Sequence, residues 1–283
     1  MRLKQNRKAS FAIVFVVYVI ATMAGIWTYN KLSCDLWLNL LIADVVATVV
    51  TFVFSVVFGN ASVYDPYWSV QPVVILCIYA FSFSLSASGV VILCVVALWG
   101  ARLTANWAYT FGGLDCQDWR YTMLKQKTGV FYPVINFVGI HMVPTLVVYM
   151  CVLPAVYVMV YAPALNVFAV LCACLSCFAF CMQGVADVQM HRFRKNGQGG
   201  FIRDGLWHYS RHPNYLGEIL MWWGVGLFAL CLLPQKWFLL AGAVANTLLF
   251  LFVSVPLAEG RQSQKQGFDE YKKQTRKFLP IKK

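Results

Sequence analysis

Residues 164–187 read ALNVFAVLCACLSCFAFCMQGVAD, and the first acidic or basic side chain in that run is its last residue, Asp187. A helix needs about 20 predominantly apolar residues to cross a bilayer, so this stretch is long enough to span. The rest of the chain agrees with it. Of 283 residues, 60% are hydrophobic and 12% charged, about half the charged share of an ordinary soluble domain. The same ruler finds apolar spans near 11–29, 37–58, 70–86, 88–108, 135–159, 215–233 and 237–257. The expected fold is therefore an all-α polytopic membrane bundle of seven to eight helices. It forms a single domain over residues 1–283, because no repeat, linker or low-complexity block divides it.

The stretch 70–86 is the weak span, being short and bounded by Ser82, Ser84, Ser86 and Ser88. Charge favours counting it. Of the 23 Lys and Arg, all but Lys31 and Lys236 lie in residues 1–10, 101–133, 187–214 and 259–283. Eight spans put these four basic segments on one side, as the positive-inside rule requires, whereas seven strand the N-terminal cluster Arg2, Lys4, Arg7 and Lys8 across the membrane. The net charge of +12 thus reads as topology and attraction to anionic lipid, including Lys272, Lys273, Lys277, Lys282 and Lys283, with no nucleic-acid partner expected. The first span, with its charged front and no small-residue cleavage pattern, reads as an anchor. Most of the ten cysteines fall within apolar runs as small hydrophobes. Cys174, Cys177 and Cys181 share a helix face without His, Asp or Glu in the run, so no metal site is expected.

Polar chemistry collects in the C-terminal half. If the helix of 164–187 continues, Gln183, Asp187, His191 and Arg194 fall near one face. The soft segment Asn196-Gly197-Gln198-Gly199-Gly200 follows, then the dense string from Arg203 through Tyr209, Arg211, His212, Pro213, Asn214 and Tyr215 to Glu218. Pro213 suits the first position of a new helix. Glu218 then sits about a turn inside the apolar zone, where a carboxyl group is costly unless it is paired or faces a cavity. The expectation is a ligand-facing Glu218, with Glu218→Leu leaving the empty protein as stable or more so. The tail carries Glu259, Arg261 and Tyr271 among regularly spaced acidic and aromatic groups, the pattern of a folded lid.

The string Gly205 to Glu218, with Asp187 to Arg194 before it and Glu259 to Pro280 after it, resembles the steroid 5-alpha-reductase C-terminal family, most closely its prokaryotic-type membrane branch. The resemblance is most specific over 181–280 and extends forward through Tyr64-Asp65-Pro66-Tyr67-Trp68-Ser69, Leu98 to Arg102 and Asp118 to Tyr121. It implies a helical bundle that binds NADPH from the cytoplasm and reduces a carbon–carbon double bond of a steroid-like enone entering from the bilayer. The family's cofactor-binding Asp and Arg match Asp187 and Arg194, and its Asn and Glu match Asn214 and Glu218, with Leu216 in place of a Phe. Tyr209, Arg211, His212, Tyr215, Glu259, Arg261 and Tyr271 complete the expected cofactor-binding set.

One departure bears on catalysis. Animal members polarise the substrate carbonyl with an early Gln-Glu pair and a Tyr, and no Gln-Glu pair occurs in this chain. The early half offers Asp44 and the cluster Asn60, Tyr64, Asp65, Tyr67. Tyr64 or Tyr67 hydrogen-bonded to Asp65 is the expected catalytic acid, a phenol oriented by a carboxylate being suited to a developing enolate. The alternative is a membrane methyltransferase of the isoprenylcysteine or phospholipid type, which shares the Arg-His-Pro-x-Tyr-x-Gly pattern of Arg211 to Gly217 and uses S-adenosylmethionine. Either enzyme would lie in a bacterial inner membrane or the endoplasmic reticulum membrane, with loops 101–133 and 187–214 and the C-terminus cytoplasmic.

Overall fold

The computed structural model describes residues 2–197 and 199–279. Gln198 of the glycine-rich segment and Pro280, Lys282 and Lys283 of the tail lie outside the described residues. Among the described residues the secondary structure is helical, with one isolated bridge between Ser210 and Arg276. The long helices are α1 Arg7–Lys31, α2 Leu36–Phe58, α3 Tyr67–Ser82, α4 Ala87–Thr110, α5 Trp119–Tyr161, α6 Val167–Lys195, α7 Pro213–Leu232 and α8 Pro234–Gln262, and a short α9, Phe268–Gln274, lies in the tail. Their ends follow local chemistry. The Asn6 side chain accepts from Lys8 and Ala9 N–H at 3.0 and 3.2 Å to start α1, Asn166 does the same for α6 through Ala169 at 2.9 Å, and Gly59 ends α2 at φ +62°.

Seven of these helices, all but α3, are long and apolar enough to cross a membrane, and the chain is a multi-pass membrane protein. The weak span is present as α3 but begins early, because the Pro66 carbonyl already accepts from Ser69 and Val70 N–H at 3.2 and 3.0 Å. Its 16 residues rise only about 24 Å, short of the ~30 Å hydrocarbon core. Large apolar side chains point outward along the spans, among them Phe15, Phe81, Phe168 and Phe252. That is costly in water and appropriate in lipid.

The chain divides into two compact units, residues 1–82 with 96–153 and residues 83–95 with 154–283. In the first, α1 meets α2 at Gly25, where an added Cβ would stand 3.2 Å from the Ala43 carbonyl oxygen. Gly100 likewise lets α4 approach α3, since its Cβ would be 2.7 Å from the Ser69 carbonyl. In the second unit α6 and α7 run antiparallel along a close seam. A Cβ on Gly217 would fall 2.7 Å from the Ala179 carbonyl, and one on Gly224 would fall 2.1 Å from Ser176 Oγ and 2.9 Å from the Cys172 carbonyl. Small residues permit such backbone contact in membranes, where packing takes over from the hydrophobic effect as the force between helices.

Gly224→Val is expected to destabilise the protein by about 1–3 kcal/mol through overpacking, whereas Gly260→Ala, whose Cβ would meet nothing within 4 Å, should be neutral or slightly stabilising. Thermal melting of both in detergent checks this. Equal melting of Gly224→Val and wild type would contradict the seam.

Candidate functional site

Two polar clusters stand out, one in each unit. In the second unit, α6 outlasts the bilayer: its 29 residues rise about 44 Å and carry Asp187, His191 and Arg194 past the apolar section. The chain then turns through Gly197, Gly200 and Gly205, all at positive φ. Gly205, at φ +61° and ψ −131°, adopts a conformation that side-chain-bearing residues rarely take, and a Cβ there would also press on the Gln189 amide. Gln189 Oε1 accepts from Leu206 N–H at 3.0 Å, and the Trp207 indole donates to the Ala186 carbonyl at 3.1 Å. These bonds fold the 196–212 segment back onto α6.

The tail then clamps that segment. Arg211 is buried, and its guanidinium donates to Glu259 Oε1 from Nε and Nη2, both at 2.8 Å, and to the Lys272 and Thr275 carbonyls from Nη1. His212 Nε2 lies 3.2 Å from Glu259 Oε1, and Lys272 Nζ 3.2 Å from Oε2. Burial holds the His212 imidazole below its ordinary range, against the pull of Glu259 and with the help of nearby Arg211 and Lys277. The ring is therefore neutral, and Nε2 donates its hydrogen to the carboxylate. Tyr271 OH donates to the Trp207 carbonyl, and its ring packs with Phe201 and Phe268. Backbone bonds from Arg211 and His212 N–H to the Arg276 and Lys277 carbonyls, 3.0 and 3.1 Å, close the clamp.

Three cations gather beside this clamp. Lys265 Nζ donates to the Gly200 carbonyl at 2.7 Å, and its ammonium is held below its ordinary pKa first by burial and then by Arg261 and Arg194. Arg261 and Arg194 thus each lie within electrostatic reach of Lys265. At the head of α7, Asn214 Oδ1 is buried with no hydrogen-bond partner.

These contacts sort the expected cofactor-binding residues. Asn214 presents a buried oxygen without a partner, Arg194 and Arg261 lie within electrostatic reach of Lys265, and Asp187 lies within electrostatic reach of His191. Arg211, expected at a phosphate, is instead committed to Glu259 and two carbonyls, so Arg211, His212, Glu259 and Tyr271 are positioning residues that hold the loop and tail together. Tyr215 stacks on His212, ring centroids 5.2 Å apart. Tyr209 is about half exposed, its ring edge-on to His208. Glu218 also differs from expectation. It is buried between α6 and α7, with Oε2 accepting from Gln183 Nε2 at 2.6 Å and Oε1 from the Trp222 indole at 2.9 Å. Lys265 was not among the expected residues, although its i+4 spacing from Arg261 places both on one face when the helix of Arg261 continues.

In the first unit the expected pairing of Tyr64 or Tyr67 with Asp65 is replaced. Asp65 Oδ1 accepts from Tyr121 OH at 2.6 Å. Tyr67 OH donates to Asp44 Oδ1 at 2.8 Å, and Gln71 Nε2 donates to Asp44 Oδ2 at 2.7 Å. Tyr64 OH bonds Thr145 Oγ1 at 2.8 Å, and that oxygen lies 3.0 Å from Thr48 Oγ1. The Tyr64 ring stacks on Tyr67 and tilts against His141, with centroids 5.2 and 4.6 Å away. The physical reason is helix phase: Tyr67 and Gln71 are one turn apart on α3 and both reach Asp44 on α2, whereas Asp65 belongs to the turn that docks on the 111–121 segment through Asn60 and Ser62. His141 sits in the π-helical stretch Ile135–Met142, a distortion that often marks a functional site. Its Nδ1 is 2.9 Å from the Asn136 carbonyl, so Nδ1 carries the hydrogen, and its buried Nε2 has no partner. Gln71 Oε1 and Asn136 Oδ1 are likewise buried without a partner. Among the described residues no group of His, Cys, Asp and Glu is arranged to hold a metal ion.

The sequence pattern of the family described as "Protein of unknown function (DUF1295)" matches residues 51–275, which takes in both clusters apart from Asp44, Thr48, Arg276 and Lys277. An uncharacterized protein of Schizosaccharomyces pombe is 27% identical over 200 residues, covering 60% of this chain and 57% of the relative. The chain thus spans little more than half the length of that curated relative. No solved structure matches.

Glu218→Leu is expected to lower the melting temperature, opposite to the expectation from sequence, because it leaves the Gln183 and Trp222 donors buried without their acceptor, at about 1–3 kcal/mol for each group. A melting temperature at or above wild type would contradict the pairing. Asp65 supplies a pH test. Burial, opposed by the Arg120 guanidinium, pushes its carboxyl from 3.8 up to about 6. The folded chain then binds this proton more tightly than the unfolded chain, so the contribution of Asp65 to stability is full below pH ~4 and is lost as pH rises through ~6. Asp65→Asn should flatten that part of the profile in urea unfolding; identical slopes in both proteins would contradict it.

Proposed function

The chain belongs to this family, and we propose that it is an NADPH-dependent membrane reductase that saturates a carbon–carbon double bond conjugated to a carbonyl in a lipophilic molecule drawn from the bilayer. The observation that carries the reading is Lys265 bonded to the Gly200 carbonyl at 2.7 Å with Arg194 and Arg261 within electrostatic reach of its ammonium. Three cations crowded together at a cost to one of them suit a polyanion, and NADPH brings three phosphate groups. The same cluster argues against S-adenosylmethionine, which has no phosphate and carries a cationic sulfonium. Asn214 Oδ1, a buried acceptor lacking a donor, suits the amide N–H of a nicotinamide.

Bound there, NADPH supplies a hydride for the β-carbon of the double bond. The chain's own part begins with charge: Arg194, Arg261 and Lys265 hold phosphate, and the buried Arg211–Glu259 clamp fixes the end of α8, which bears Arg261 and leads to Lys265. Within the first unit, the group suited to act as an acid is Tyr67. Gln71 donates to one oxygen of Asp44, which leaves a proton to be shared between the other oxygen and the Tyr67 phenol. With a further proton on Asp44, the carboxyl O–H donates to the Tyr67 oxygen, which frees the phenol's own hydrogen to donate to a carbonyl oxygen and stabilise charge developing there. Asp44 and Gln71 thus take the role that Asp65 was expected to fill. In this reading α3 completes a crossing despite its length, as the bond from Arg7 to the Ala108 carbonyl at 2.7 Å supports by keeping the N-terminal cluster beside segment 101–133, and the basic segments face the cytoplasm of a bacterial inner membrane or an endoplasmic reticulum membrane.

The test uses the purified protein in detergent with a conjugated steroid enone, following loss of NADPH absorbance. Arg194→Ala combined with Lys265→Ala should raise the Kd for NADPH at least tenfold, since each lost charged hydrogen bond is worth about 1.5–3 kcal/mol. Tyr67→Phe should lower turnover with the Kd unchanged. Unaltered NADPH affinity in the folded double variant would remove the cation cluster from the site.

A further inference from the structure

The seam between α6 and α7 ends in two cysteines. Gly217, Gly224 and Cys231 recur at seven-residue intervals on α7, so they face α6 in succession. Gly217 lies against Ala179 and Gln183, Gly224 against Ser176 and Cys172, and Cys231 against Cys172 itself. The Cys172 and Cys231 sulfurs are 4.0 Å apart. Asn166 Nδ2, at the cap of α6, donates to the Cys231 carbonyl at 3.0 Å and fixes the last turn of α7 beside the first turns of α6.

We propose that Cys172 and Cys231 are a disulfide site that staples α6 to α7. A disulfide asks for Cα atoms within about 4.4–6.8 Å and sulfurs at about 2.05 Å. Few helix pairs satisfy the first demand, because side chains usually hold helix axes about 8–10 Å apart. Here Gly224 removes that spacer at the level of the Cys172 carbonyl, and the two sulfurs already lie 4.0 Å apart. Both thiols are free in this structure.

The location supplies the chemistry. Arg192, Arg194 and Lys195 mark the opposite end of α6, and the 22 residues from Cys172 to Arg194 rise about 33 Å, the thickness of the hydrocarbon core. If the basic end is cytoplasmic, the cysteine pair opens on the periplasmic or lumenal face, where disulfides form and persist. The reaction is a thiol–disulfide exchange. One thiolate attacks a disulfide-bonded oxidant on that face, and the second thiolate displaces the resulting mixed disulfide. One S–S bond forms within the chain, one breaks in the oxidant, and the oxidant leaves as a dithiol with the two electrons and two protons. The staple lies at the far end of the helices from the cation cluster, and its formation does not depend on which cofactor binds there.

Membranes bearing the full-length chain, quenched in acid and then denatured with N-ethylmaleimide, give the direct readout by peptide mass spectrometry. The expected result is a Cys172 peptide linked to a Cys231 peptide in most chains and released by reductant. Cys231→Ser should leave Cys172 alkylated. Finding both cysteines alkylated in the wild-type chain, or either one linked to a different partner, would overturn the proposal.

Discussion

The basic end of the second unit depends on one buried ion pair, Arg211 with Glu259. Neither side chain is more than slightly exposed, and the guanidinium spends its three nitrogens on one carboxylate and two tail carbonyls. Burying two charges is expensive, and removing one partner from such a pair typically costs about 3–5 kcal/mol because the other is left uncompensated. What the pair secures is register. It joins the start of α7, the end of α8 and the tail beyond α9 into one knot, which fixes where Arg261 and Lys265 lie relative to Arg194 and where Asn214 enters its helix. His212 and Lys272 satisfy the remaining capacity of Glu259, so the network is close to complete, the condition under which a buried polar cluster rigidifies and does not merely destabilise.

That division of labour explains why charged residues crowded into a short string do different work. Those whose hydrogen bonds are exhausted internally set geometry. Lys265, whose charge is opposed by Arg194 and Arg261, and the partnerless amide oxygen of Asn214 are the ones a ligand would relieve. The first unit follows the same logic. Its membrane-buried carboxylate, Asp44, is held by a phenol and an amide, while Gln71 Oε1, Asn136 Oδ1 and His141 Nε2 remain as acceptors without donors. Buried acceptors of this kind are retained where a bound group or an ordered water completes them.

Much of the architecture was legible in the sequence. Seven spans follow from runs of uncharged residues longer than a bilayer is thick, and the start of α7 from Pro213. The boundary of α3 was less so, because Pro66 starts the helix earlier than hydropathy shows. At the sites, residue types were readable and partners were not. Glu218 stands out in any hydropathy profile, but its acceptor role toward Gln183 depends on the crossing of α6 with α7, which rests on where two glycines fall. Tyr67 and Asp65 are two residues apart in sequence and separated by the onset of a helix, whereas Asp44 and Gln71 lie 27 positions apart and meet through a carboxylate and a helical turn. Long-range pairing of this kind leaves no local signature. Lys265 was overlooked for a simpler reason: in a strongly basic tail, one lysine does not stand apart from those that meet lipid.

The central claim is that the Arg194, Arg261 and Lys265 cluster serves a polyanionic nucleotide. The most direct measurement is a calorimetric titration of the purified protein with NADPH and, separately, with S-adenosylmethionine, each at low and at high salt. The account predicts saturable NADPH binding that weakens steeply as salt screens the phosphates, and no saturable binding of S-adenosylmethionine. Saturable S-adenosylmethionine binding with no response to NADPH would contradict it.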